Sequence, residues 1–229
     1  AYLDLFLQQR VSGVLVTPAD DDLEGLVRLR DAGIPVVLVD HEAADSHLPS
    51  VSVDDVEGGY LAVSHLLSLG RRRIAFVGGS PGIRQVRDRL AGARRAVADV
   101  PDARLEVIEE PALTVLHGRA AGQRLIARDR GDRPDAVFAA NDLLAVGLLQ
   151  AFALIADISV PDDIALIGYD DIDFASATVV PLSSIRQPAT RIGQSAVDLL
   201  MQEIREPDGA HERSIRFRPE LVVRDSTRR

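Results

Sequence analysis

The 229 residues carry 35 acidic and 26 basic side chains, a formal charge of −9 at pH 7, 46% hydrophobic residues and no cysteine. That composition supports a buried core, makes the chain by itself a poor binder of phosphate backbones, and excludes disulfides and thiolate metal sites. Every basic residue is Arg, and no run approaches the roughly 18 apolar residues of a membrane span.

Taken in order, the strand candidates are "GVLVT" (13–17), "PVVLVD" (35–40), "RIAFVGG" (73–79), "LEVIEE" (105–110), "DAVFAAN" (135–141) and "IALIGYD" (164–170). Amphipathic stretches at 22–33, 55–69, 83–99, 114–129, 142–155 and 190–206 lie between and after them. Near-continuous apolar strands with helical crossovers predict parallel sheets covered on both faces. Gly33 with Pro35 and Gly70 with three arginines after it supply helix stops. "LSSIRQP" (182–188), 214–217 and "ELVVR" (220–224) read as late short strands that return to earlier sheets, giving two lobes with several crossings.

Several chemistries fail on single residues. "GGSPG" (78–82) fits G-x-S-x-G, but Pro81 follows Ser80 and has no N–H for an oxyanion hole. A Walker loop needs Lys. The histidines (41, 47, 65, 117, 211) lack zinc spacing, and Asp171 and Asp173 lack the rest of a calcium loop. No cofactor, metal or catalytic residue is expected. What remains are polar groups at the carboxyl ends of strands, where open parallel sheets bind ligands: Asp40, Asn141 with Asp142, and Asp170, with Arg84, Arg87 and Arg89 opening the helix after "FVGG". Each alone also reads as a helix cap.

At these residues the sequence resembles the LacI/GalR family of bacterial transcriptional regulators, specifically its effector-binding core. The matching stretches are "VSGVLVTP", "GIPVVLVD", "PSVSVDDVEGGYLAVSHLLSLGRRRIAFVGG", "RDRLAG", "FAANDLLAVG", "VPDDIALIGYDDIDFA", "PLSSIRQP" and "ELVVRDS", over almost the whole chain. The resemblance implies an α/β, two-lobed periplasmic-binding-protein-like fold. One lobe is expected at 1–53 and 188–218, and the other at 54–187 and 219–229. It implies that Asp40, Gln85, Arg89, Asn141 and Asp170 contact an effector in an interlobe cleft, with Gln187 and Leu113 behind them. The family usually has an aromatic at the position of Leu113, which cannot stack on a sugar or base. "YLDLFLQQRVSG" matches a helix that follows the family's first β-α-β, so the first lobe is expected to be N-terminally truncated and the helix-turn-helix missing.

The resulting expectation is a non-enzymatic, cytoplasmic effector-sensing domain. It would bind a sugar or related polyol, act as a homodimer, and reach DNA through an absent N-terminal domain, with no membrane partner. The alternative is a periplasmic sugar-binding protein of a transporter. Asp170→Ala or Arg89→Ala is expected to abolish effector binding with little loss of fold. Asp171 and Asp173 are expected to cap or solvate the turn after Asp170.

Overall fold

The computed structural model describes residue 9 and residues 11–18, 21–42, 46–155, 158–206 and 213–228. Most of "YLDLFLQQRVSG" (residues 2–8 and 10) and His211 lie outside the described residues. The chain order is β1 (Val14–Val16), α1 (Glu24–Asp31), β2 (Val36–Val39), β3 (Ser50–Val53), α2 (Asp55–Ser68), β4 (Arg73–Gly78), α3 (Arg84–Ala98) and β5 (Arg104–Glu109). There follow α4 (Val115–Ile126), β6 (Ala136–Ala139), α5 (Asp142–Ile155), β7 (Ala165–Asp170), β8 (Ser183–Arg186), α6 (Ala189–Arg205), β9 (Ser214–Phe217) and β10 (Glu220–Val222). The apolar runs form the strands predicted of them. One strand was not anticipated: β3 is "SVSV", and its serines disguise a segment whose four residues are all buried.

Residues 1–54 and 188–218 form one unit, and residues 55–187 and 219–229 a second. In the first unit the sheet order is β1-β2-β3-β9, all parallel. Period-two alternation on β2 sends Val36 and Leu38 to a cluster with Leu26 and Leu29 of α1. Val37 goes to the opposite cluster, with Ile192, Ala196 and Leu199 of α6. The late strand β9 thus returns to the sheet begun by β1.

The second unit has the order β10-β8-β7-β6-β4-β5, parallel except for β10 against β8. Its inner strands β4, β6 and β7 are apolar on both sides because both faces are covered, α2 packing on α3 and α4 on α5; the edge strand β5 is largely exposed. Phe76 and Phe138 meet edge-to-face across β4 and β6, with ring centroids 5.3 Å apart. Among the described residues, no helix is long and apolar enough to cross a membrane.

The α2–α3 contact depends on bare backbone. A Cβ on Gly59 would lie 2.0 Å from the carbonyl oxygen of Arg89, and one on Gly92 would lie 1.9 Å from that of Val56. Neither obstacle is a flexible side chain that could move aside, so the helices would have to separate. Overpacking costs typically about 1–3 kcal/mol. Gly59→Ala should therefore lower the urea midpoint by an amount equivalent to at least about 2 kcal/mol, with an unchanged slope. An unchanged midpoint would mean the helices are not in backbone contact.

Candidate functional site

In the second sheet β4 is flanked by β5 on one side and β6 on the other. The chain leaves β4 through α3 in one direction and returns to β6 through α4. That reversal is the point where open α/β sheets leave a crevice beyond the carboxyl ends of their strands. The segments at this point are the turn 79–83, which leads into α3, and Ala140–Asn141 after β6.

Arg89, on the second turn of α3, reaches back to this edge. Its side chain is only 5% exposed and is paired with Asp55, itself 8% exposed, through a 2.7 Å bond from Nε to Oδ1. Nη1 donates to the carbonyl of Ala140 at 2.7 Å. The guanidinium lies 3.6 Å over the ring of Tyr169, a cation–π contact. Burial by itself works against the charge, but Asp55, Tyr169 and Asp170 outweigh it and raise the pKa of Arg89 above its ordinary value. Nη2 points toward Asp170, with Oδ1 3.7 Å away, beyond direct hydrogen bonding.

Asp170 ends β7 and sits between the ends of β6 and β8. Its Oδ1 accepts a 2.7 Å bond from Nε2 of Gln187. Burial raises its pKa, while Arg89 and Gln187 oppose the shift. Asp170 keeps 31% of its side-chain surface exposed, so unlike Asp55 it is reachable by a ligand. The backbone here is left-handed at two successive residues, with φ 99° at Asp170 and 52° at Asp171. Each such residue costs of order 1–3 kcal/mol unless its surroundings hold it.

Asn141 also comes to this edge, and its amide does capping work. Oδ1 accepts from the Leu144 N–H at 3.0 Å, and Nδ2 donates to the carbonyl of Leu113 at 3.3 Å. One amide hydrogen stays uncommitted by these bonds. Leu113 is half-buried and packs against the core, ahead of α4. Gln85 is half-buried in the first turn of α3. Arg84 and Arg87 turn toward Asp88, at 3.4 and 4.0 Å. Asp40, in the first unit, follows β2 with a left-handed φ of 56° and donates its N–H to Val51 at 2.8 Å. Ser80 belongs to a turn: its Oγ accepts from the Gly82 N–H at 3.2 Å.

Three aspartates play parts that sequence reasoning did not assign. Asp55 reads as an ordinary acidic first-turn residue, yet it is the buried counter-ion of Arg89. Asp171 neither caps nor solvates the turn. Its 4%-exposed carboxylate is clamped by Nε of Arg186 at 2.7 Å and Nη1 of Arg224 at 2.6 Å. Asp173 is exposed, as expected. Asp142 is fully buried and takes bonds from Ser184 Oγ at 2.7 Å and Ile172 N–H at 2.9 Å. Burial pushes its pKa up to about 7, against those two hydrogen bonds. The available signal was "SS" at 183–184, two hydroxyls inside a strand that must be buried. Among the described residues, no group of three or more His, Asp or Glu is placed to hold a metal ion.

Residues 63–227 match the family of periplasmic binding protein-like domains. The chain is 33% identical to the HTH-type transcriptional repressor PurR of Photobacterium profundum, over 99% of its own length and 67% of that protein's. It is also 33% identical to the arabinose metabolism transcriptional repressor of Geobacillus stearothermophilus, covering 99% of this chain and 64% of that protein. Among solved structures, a LacI family transcriptional regulator from Enterococcus faecium with bound ribose superposes with a TM-score of 0.87 at 29% identity, covering 98% of this chain and 82% of that one. The chain thus spans about two thirds of the length of these curated relatives, which are transcriptional regulators and not enzymes. Over that span it belongs to the LacI family of bacterial transcriptional regulators, whose periplasmic-binding-protein-like effector domain it carries.

Proposed function

We propose that the chain senses a small neutral polyhydroxylated effector, a sugar or related polyol, at the Asp170 edge of the second unit. The observation that carries this reading is the charge balance of the edge: one guanidinium, Arg89, faces the two carboxylates Asp55 and Asp170. The cation is already answered, so an anionic effector would find no spare positive charge there. A hydroxyl both donates and accepts. It can donate to the exposed part of Asp170 and accept from Nη2 of Arg89 or the uncommitted amide hydrogen of Asn141. Gln85 completes the candidate contacts of this unit, with Gln187 orienting Asp170 and Leu113 supplying an aliphatic wall. Asp40 is the candidate acceptor of the first unit. The bound ribose of the Enterococcus faecium relative agrees with this chemistry.

The effector would regulate by linkage. It shifts an equilibrium only by its difference in affinity for two states, and the affected state would be that of a cytoplasmic homodimer holding DNA through a helix-turn-helix segment. No step requires bond making, a cofactor or a metal.

A thermal-shift panel of ribose, arabinose, xylitol and adenine tests the ligand class. A ligand at about 100 times its Kd stabilises by about 2.7 kcal/mol, or very roughly 5–10 °C for a chain of this size. Stabilisation by a sugar or polyol is expected; stabilisation by adenine alone would overturn the polyol reading.

Variants test the contacts. A φ of 99° penalises Ala at position 170, whereas Asn tolerates left-handed backbone. Asp170→Asn should therefore weaken binding of the stabilising sugar roughly tenfold to a hundredfold, as expected for a charged hydrogen bond, and leave the fold intact. Arg89→Ala should abolish binding but not spare the fold, because it strands buried Asp55. Breaking such a pair costs about 3–5 kcal/mol, to be read by urea denaturation. Unchanged calorimetric affinity in Asp170→Asn would remove Asp170 from the site.

A further inference from the structure

The turn that presents Asp170 is tied to one buried carboxylate. Asp142, at the start of α5, accepts the Ile172 N–H on Oδ2 at 2.9 Å and the Ser184 hydroxyl on Oδ1 at 2.7 Å. Ser184 Oγ in turn accepts the Asp171 N–H at 3.1 Å. Both peptide N–H groups that follow Asp170 are therefore held by Asp142, one directly and one through Ser184. The carboxylate gets this close because β7 has no side chain at Gly168: a Cβ there would lie 2.1 Å from Asp142 Oδ1. This explains a glycine inside a buried strand, where it otherwise weakens the element.

We propose that Asp142 is a positioning residue: its ionised carboxylate, with Ser184, holds the left-handed Asp170–Asp171 turn in the geometry that offers Asp170 to an effector, and protonating it relaxes the turn and weakens binding. An ionised carboxylate only accepts, which suits the two donors facing it. A protonated one is a weaker acceptor: a hydrogen on Oδ2 displaces the Ile172 N–H, and one on Oδ1 makes the Ser184 hydroxyl reverse or turn away, so the hold on the turn is loosened. The charged groups around Asp142 are Asp170 and Asp171 at the end of β7. Arg186 of β8 and Arg224 near the C-terminus neutralise Asp171, and Arg89 of α3 faces Asp170. Among the described residues Asp142 thus has no cation of its own, and burial pushes its pKa up to about 7.

The direction of each pH effect follows. The folded-state pKa is raised, so between about pH 4 and 7 the folded chain retains a proton that the unfolded chain has lost. This residue's contribution to stability is therefore lost as pH rises through that window. Effector affinity moves the other way, rising as Asp142 ionises. A carboxylate serving the fold alone would not set the two in opposition.

The proposal rests on the effector reading above, and the test separates them. The ligand-free chain labelled with ¹⁵N is followed by NMR from pH 5 to 8.5, and ribose binding is measured by calorimetry at pH 6 and 8. The Asp171 and Ile172 amides and the Gln187 side-chain amide should share an inflection near pH 7. Asp142→Asn should abolish it, and Asp170→Asn should keep it at the two backbone amides, which separates Asp142 from titration of Asp170 itself. Ser184→Ala, which leaves the carboxylate in place, should lose it at Asp171 and retain it at Ile172. Ribose affinity should fall several-fold from pH 8 to pH 6 in the wild type, with the Asp142→Asn variant changing less. The proposal is overturned if the inflection is absent from the wild type, persists in Asp142→Asn, or leaves ribose affinity unmoved. Ribose that binds at neither pH, with the inflection present and lost in Asp142→Asn, would count against the polyol reading while supporting the positioning role.

Discussion

A buried guanidinium must be answered by charge, and the carboxyl edge of the second unit is organised around answering that of Arg89. Asp55 comes from α2, the Ala140 carbonyl from the end of β6, and the Tyr169 ring and Asp170 from β7. Three separate elements converge on one side chain of a fourth. Replacing such a group by a well-packed apolar one is often neutral or stabilising, so stability alone gives little reason for it. The glycine contacts between α2 and α3 belong to the same arrangement. The helices touch backbone to backbone there, and Arg89 and Asp55 meet 2.7 Å apart across the same contact.

Strain follows from the same geometry. To place a carboxylate beyond the end of β7, the chain takes two consecutive left-handed residues with no glycine at either. The cost is offset locally: Arg186 and Arg224 clamp Asp171, and Asp142 and Ser184 take the N–H groups. Asp170 thus keeps its carboxylate partly exposed while its neighbours hold the backbone. The three aspartates of "GYDDID" divide the work: Asp170 faces solvent at the tip, Asp171 anchors, and Asp173 is solvated.

Most of the fold was legible, because strands covered on both faces must be apolar and helices must pack one face. "VVLV", "IAFVG" and "ALIGYD" leave little choice. β3 escaped because Ser50 and Ser52, buried on a strand between two parallel neighbours, look like surface alternation. Asn141 and Asp170 could be singled out because each ends or follows an apolar run, whereas Arg89 was named with Arg84 and Arg87 and chosen among them by the family resemblance. Asp55 could not, and Asp142, named with Asn141, gave no sign of its own role, since a carboxylate at a helix start reads as a cap or a dipole partner. Their actual partners lie 34 and 42 residues away, at Arg89 and Ser184. The pairing of Asp171 with Arg224, 53 residues later, was equally hidden. Contacts that close across a sheet edge leave no periodic trace.

The departures from local backbone rules fall mostly at strand ends. α1 and α4 carry basic residues in their last turns, and α2 has acids in its first, as the helix dipole favours. The first turns of α3, α4 and α6 have no acid, and α3 opens with arginine. Three of the four described non-glycine residues with positive φ are Asp40, Asp170 and Asp171, at the carboxyl ends of β2 and β7. The buried carboxylates Asp55 and Asp142 support the latter edge. Sequences violate their own local preferences mainly where function demands it. Here the left-handed backbone at Asp170 and Asp171 and the buried carboxylates Asp55 and Asp142 come together around the end of β7, which is the physical ground for proposing the site there.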